Sequence, residues 1–356
     1  MRSFIQPLAA LKEFEDLEAA LRKGSGIQQV SGCIDSQKPH LIYALNNGSA
    51  GRIIVTFSEQ KARELYEECR FFNKNVVYYP ARDILFYQSD IRGNLLTGQR
   101  MTAIKALLTE EYPMVVTTFD ALMDRLVPLP VIQEGICSFQ VGDSLKLPEM
   151  SRRLVQMGYE RSYQVEGNGQ FAVRGGILDI FPLTEENPFR IELWGDEIDS
   201  IRSFDVESQR SLENLPEVQI YPASEVILSD ERIKKGLAKI KEESSCVYEA
   251  LRKAMKTEEA HRVKSTVEAL EEELTTLQGM TSVDSYLTYF FDETVSLLDY
   301  FDKDKTIVFL DEPARCLEKG RVTQTEFSES MKHRLEKGYV LPGQIDAVAT
   351  GEEVAA

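Results

Sequence analysis

The sequence predicts an α/β protein: a parallel-sheet domain assembled from two chain segments and interrupted by a small α+β insertion. Three observations predict it. Apolar strands alternate with helices through the first part of the chain. The pattern changes near Cys137, where strands follow one another without helices for about 80 residues, enough to fold as a small unit. Beyond Ile220 the chain turns helical and adds one more apolar strand, Thr306–Leu310. Alternating strands and helices are the pattern of a parallel sheet covered on both faces. The expected boundaries are 1–136 for the first α/β segment, 137–218 for the insertion and 219–356 for the helical segment that completes the sheet.

Each element has a local reason. Leu8, Leu11, Phe14, Leu17 and Leu21 recur at helical spacing, and Gly24 stops that helix. Ile27-Gln-Gln-Val30 reads as a short strand, Pro39–Leu45 as a helix and Asn46–Gly51 as a turn-rich loop. Arg52-Ile-Ile-Val-Thr-Phe57 is a continuous apolar strand, typical of burial on both faces. Ser58 is the N-cap of a helix running to Phe72. Asn75–Tyr79 and Pro113–Thr118 are strands, with a helix over Leu95–Glu110 between them and a short one over Ala121–Leu126. In the insertion, Glu149–Met157 forms a helix and Gly195-Asp196 a two-residue hairpin turn with glycine first. Val263, Val267, Leu270 and Leu274 form one stripe in the Glu/Lys-rich helical region, whose charges read as a solvated face. Thr306–Leu310 reads as a buried strand. The last residues, Thr350–Ala356, look like the start of a helix continuing into a longer protein.

Composition bounds the function. The 356 residues are 43% hydrophobic and 28% charged, with a net charge of −17. That charge opposes broad nucleic-acid binding but leaves room for a local basic patch. No apolar run approaches the ~20 residues of a membrane span. The five scattered cysteines form no Cys-x-x-Cys pair, which reads as reduced thiols in a cytoplasmic protein.

The phosphate-loop position is defective. Gly32-Cys-Ile-Asp-Ser-Gln-Lys-Pro39 keeps Gly32 and Lys38 in register. Gln37 replaces the second glycine and would crowd the phosphates. Pro39 replaces the Mg²⁺-binding hydroxyl and removes a backbone donor. Asp311 and Glu312, after the last strand, resemble a Walker B pair without a working phosphate loop to serve. Asp196, Glu197 and Asp199 read as a solvated acidic turn, and no cofactor is implied.

The insertion carries the strongest signal. In Phe189-Arg-Ile-Glu-Leu-Trp194, alternation puts Phe189, Ile191 and Leu193 on one face and Arg190, Glu192 and Trp194 on the other. An arginine and the chain's one tryptophan on a polar strand face form a docking surface. A bulge or register slip would instead return Trp194 to the core.

The motif Phe171-Ala-Val-Arg-Gly-Gly-Ile-Leu-Asp-Ile-Phe-Pro182, then Phe189-Arg-Ile-Glu-Leu193, Gly195–Asp205 and Ser208-Gln-Arg210, resembles the bacterial transcription-repair-coupling factor family. The resemblance covers the flanks more weakly, to about Gln344. The N-terminal region of that family is similar to the excision-repair protein UvrB. The resemblance implies a RecA/helicase-like sheet domain with a degenerate P-loop and an inserted UvrA-binding domain. It maps the UvrA contacts onto Arg174, Arg190 and Trp194, the last a departure from the family's frequent Phe. It also implies a non-catalytic adaptor that recruits UvrA in nucleotide-excision repair. Later domains would hold the motor and the contacts to RNA polymerase and DNA, and could mask the UvrA surface. UvrB's Tyr-rich DNA-clamping hairpin is reduced to Tyr78–Ser89, read as core and surface aromatics. The alternative is an ATP-dependent DNA-remodelling or helicase domain with an unusual P-loop.

Overall fold

The computed structural model describes residues 2–24, 26–45, 50–82, 94–276 and 283–355. The chain opens with α1 (Arg2–Ala9), α2 (Lys12–Arg22) and α3 (Lys38–Ala44). It continues with β1 (Gly51–Thr56), α4 (Glu59–Phe72), β2 (Val76–Tyr79), α5 (Asn94–Thr109), β3 (Met114–Thr118), α6 (Phe119–Leu122) and α7 (Leu129–Gly135). After the insertion come α9 (Asp230–Lys253), α10 (Thr257–Thr276), α11 (Leu287–Phe290), β12 (Thr306–Leu310), α12 (Pro313–Glu336) and α13 (Gly351–Ala355). Strand order in the first sheet is β12-β1-β3-β2, all parallel. Ile53 and Val55 face one core and Ile54 the other, so β1 is covered on both sides. Ser58 caps α4 by accepting from the Lys61 amide.

Four expectations need correction. The single helix over residues 8–23 is two, α1 and α2, broken at residues 10–11. Ile27–Val30 belongs to none of the sheets among the described residues, and Ile27 is fully exposed. The helix at Ala121 ends at Leu122, and residues beyond it make isolated strand bridges. Strand β12 is an edge, not a buried strand: Val308 and Leu310 are exposed although Ile53 and Val55 beside them are fully buried. An apolar run alone does not separate a central strand from an edge strand. The expected loop at Asn46–Gly51 lies largely outside the described residues, as do residues 83–89 of the Tyr78–Ser89 segment. Tyr78 and Tyr79 themselves are buried.

The insertion contains β4 (Cys137–Gln140), α8 (Leu147–Gln156), β5 (Glu160–Arg161), β6 (Gln170–Arg174), β7 (Ile177–Ile180), β8 (Phe189–Trp194), β9 (Glu197–Phe204), β10 (Ser211–Leu215) and β11 (Glu217–Ile220). A six-stranded sheet has the order β10-β9-β8-β7-β6-β5 and is antiparallel except for β5–β6. Its inner face packs Phe171, Leu178, Ile180, Phe189, Ile191, Ile198 and Ile201 against Leu154 of α8. The outgoing strand β4 and the returning strand β11 pair with each other as a separate two-stranded ladder at the base. Among the described residues no helix is long and apolar enough to cross a membrane.

A buried ion cluster fastens the return. Arg100 of α5 bonds both oxygens of Glu225, just beyond β11, and donates to Asp124 at 2.8 Å and to the Pro80 carbonyl at 2.7 Å. Arg82 also pairs with Glu225, and the Arg100 guanidinium lies 4.1 Å from the centre of the Tyr79 ring. Burial pushes the Glu225 carboxyl up, but Arg100 and Arg82 outweigh it and hold it at about 2. A folded-state value below the ordinary 4.5 means that the stabilisation is complete above that value and is lost as pH falls toward 2. We therefore expect Glu225→Gln to unfold at lower urea concentration than the parent at pH 7. Repeating the titration at falling pH should show the gap closing between pH 4.5 and 2; a pH-independent gap would refute this role.

Candidate functional site: the outer face of the inserted sheet

Strand alternation places Arg174, Asp179, Arg190, Glu192, Trp194 and Arg202 on the face opposite the packed core. Gly195 takes φ +66°, as the first position of a glycine-first hairpin turn requires. The β8–β9 register shifts by one residue, pairing Glu192 with Ser200 but Leu193 with Ile198. The extra residue, Asp199, lies in β9, so β8 keeps its alternation. Trp194 consequently points outward and is 86% exposed.

Asp179 organises the centre of this face. It is fully buried, and its two oxygens receive Arg190 in bidentate fashion, at 2.7 Å from Nε and 2.9 Å from Nη2. Arg174 donates to the same carboxylate at 2.8 Å. Arg190 further donates to the Gln209 side chain at 3.1 Å, and its guanidinium lies 4.4 Å from the centre of the Phe204 ring. The hydrogen bonds to Asp179 raise the Arg190 pKa, opposed by partial burial. Next to them, Arg202 pairs with Glu192, which also accepts from Ser200 at 3.2 Å.

The two arginines therefore differ. The Arg190 side chain is only 16% exposed and is held on every side, whereas Arg174 is 35% exposed and spends one nitrogen on Asp179. Two cations on one carboxylate leave the centre of the face positive, with Trp194 near its rim. Asp179 was missed in the sequence, although the alternation Ile177-Leu-Asp-Ile180 already put it on the outer face.

A family profile described as the UvrB interaction domain matches residues 137–226, which include this whole sheet. Over 337 residues the chain is 32% identical to the transcription-repair-coupling factor of Bacillus subtilis (strain 168), covering 93% of this chain and 28% of that protein. The chain is a relative of the UvrB-like N-terminal region of the transcription-repair-coupling factors. The corresponding protein of Staphylococcus haemolyticus is 31% identical over 294 residues, covering 82% of this chain and 25% of that one. UvrABC system protein B of Kosmotoga olearia is 29% identical over 351 residues, covering 93% of this chain and 52% of that one. The chain thus spans between about a quarter and about half of these relatives' lengths.

The UvrB-like sheet domain brings Lys38, Asp311 and Glu312 together. The Lys38 ammonium lies 2.7 Å from Asp311, 2.9 Å from Asp35 and 3.7 Å from Glu312. Thr56 at the end of β1 donates to the other Asp311 oxygen at 3.0 Å, and Lys61 lies 2.9 Å from Asp35. Burial lowers the Lys38 pKa, but Asp311 and Asp35 outweigh it and raise it. Hydrogen bonds from Lys61 and Lys38 hold the Asp35 carboxyl down at about 2. Gly32 has φ +83° with open space around it. The Gln37 side chain accepts from the Ile34 amide at 3.2 Å and closes the turn on itself. Pro39 lies in the first turn of α3, where a phosphate cradle needs N–H donors. Glu312 adopts a left-handed conformation at φ 53°, a strained backbone at the start of α12. The described residues contain no group of three or more His, Cys, Asp or Glu able to hold a metal.

Two outcomes are expected. Asp179→Ala should destabilise the protein by about 3 kcal/mol, since it strands the part-buried Arg190; calorimetric melting measures this. Titration with a fluorescent ATP analogue and Mg²⁺ should show no saturable binding. Saturable Mg²⁺-dependent binding would mean that the Lys38 network opens to admit nucleotide.

Proposed function

We propose that this chain is a non-catalytic adaptor that recruits UvrA, within a longer transcription-repair-coupling factor acting in transcription-coupled nucleotide-excision repair. The observation that carries the reading is Trp194, 86% exposed at the end of a strand whose same face carries arginines pre-set by a buried carboxylate. A large aromatic with few rotatable bonds on one face with fixed cations is the composition of an interface hot spot. In this reading Trp194 fills an apolar recess on UvrA. Arg174 supplies the accessible positive charge, and Arg190 contributes its remaining edge while holding the sheet surface in shape. The rest of the protein supplies the ATP-driven translocase and the contacts to RNA polymerase and DNA. Its later domains can also cover this face, and it works in the cytoplasm.

Supporting the adaptor over a nucleotide-driven enzyme is the commitment of Lys38 to Asp311 and Asp35. The discriminating variants are Trp194→Ala and Arg174→Ala, not Arg190→Ala, because the first two remove exposed groups and leave most of the Asp179 clamp intact. Each should leave the melting temperature within a few degrees and weaken UvrA binding by about 1–3 kcal/mol, measured by calorimetric titration. Unchanged UvrA affinity in the Trp194→Ala/Arg174→Ala double variant would refute the assignment of this face.

A further inference from the structure

We propose that the cleft between α9 and α10, beside their connecting turn, is a binding site for phosphate groups. The cleft has a volume of 310 Å³. Arg252 enters it from the last turn of α9, His261 and Lys264 enter from α10, and Thr257 and Ser265 also line it, the Ser265 hydroxyl donating to the Arg262 carbonyl at 3.0 Å. Spacings of three and four residues put Thr257, His261 and Lys264 on one side of α10. That stripe runs beside the apolar one, Val263, Val267, Leu270 and Leu274, which packs into the core. The charged stripe is therefore left over after folding needs are met.

Charge sets this region apart. From Leu251 to Thr266 the sequence carries five basic residues, Arg252, Lys253, Lys256, Arg262 and Lys264, against two acidic ones, Glu258 and Glu259, in a chain of net charge −17; Arg262 turns away to donate to the Lys337 carbonyl. Three lysines elsewhere on these helices are closely neutralised: Lys235 by Glu231 at 2.9 Å, Lys239 by Asp292 at 2.6 Å and Lys241 by Glu271 at 2.5 Å. In the cleft, Lys264 has only Glu268 at 3.7 Å. Among the described residues no carboxylate forms an ion pair with Arg252 or His261. The Arg252 guanidinium instead lies over the Tyr248 ring, 5.9 Å from its centre. Stacking uses the flat face of the guanidinium and leaves its N–H edge for an anion. Thr257 begins α10, so the positive end of a 20-residue helix borders the same space. Glu268 lies at the opposite end and repels an anion there, which places the phosphate toward Thr257.

The ligand class is a phosphate monoester or phosphodiester, which matches a guanidinium, an ammonium and the Thr257 hydroxyl. The cleft is remote in sequence from the sheet that carries Trp194, and the inference does not depend on UvrA binding. The test uses the whole chain and the side-chain NMR signals of His40, His261 and His333, with His261 assigned by its loss in His261→Gln. Inorganic phosphate should shift the His261 signal saturably and leave the other two unmoved. Arg252→Ala/Lys264→Ala, both at exposed helix positions, should weaken this about tenfold or more without changing the melting temperature. A short single-stranded oligonucleotide forms the second arm. If it saturates the same signal at lower concentration and with steep salt dependence, the phosphate comes from a nucleic-acid backbone. If only inorganic phosphate binds, the source is a small phosphorylated molecule. A shift that fails to saturate, or that survives in the double variant, overturns the proposal.

Discussion

The pairing of Arg100 with Glu225 is the interaction on which the architecture depends. The chain leaves the parallel-sheet domain near residue 137 and returns near residue 220, so something must locate the return. Glu225 does so by entering a pocket where Arg100 and Arg82 wait, with Asp124 pairing with Arg100 and balancing the second positive charge. The chain then runs on through α9 to β12, the strand that completes the sheet. Burying four ions is costly, and it is tolerated only when nearly every donor and acceptor is matched. Here the Arg100 fork also reaches the Pro80 carbonyl and stacks on Tyr79, so the match is close to complete.

The inserted sheet uses the same device for a different end. Asp179 is as buried as the hydrophobic residues on the opposite face, yet it serves a polar surface. By holding Arg190 and Arg174 in fixed positions it removes much of the side-chain entropy that an interface would otherwise lose on binding. Trp194 adds rigid apolar area at the end of the same face. The surface is pre-shaped by its own carboxylate rather than by a partner.

Local patterns were legible in the sequence and long-range ones were not. Continuous apolar runs marked β1 and β3, and the period of two placed Arg190 and Trp194 outward before any coordinates. The hairpin turn at Gly195 needed only its glycine. By contrast, the claim of Asp179 on two arginines depends on the register of two hairpins at once. The contact of Lys38 with Asp311 joins residues at opposite ends of the chain. The edge position of β12 and the place of Ile27–Val30 outside the sheets are facts about which strands lie alongside, and no single segment carries that information. The split between α1 and α2 shows the same limit at shorter range, since Leu8 and Leu11 keep helical spacing across the break.

The Lys38 network has a further consequence for how such a domain is controlled. In a working ATPase the piece that joins the first strand–loop–helix to the last strand is a nucleotide, and its occupancy rises and falls with metabolism. Here the joint is made of side chains encoded in the chain itself and is present in every copy. Opening it takes a competitor for the lysine or for the carboxylates. The link between the first strand–loop–helix and the last strand therefore answers to salt and pH through Lys38, Asp35 and Asp311.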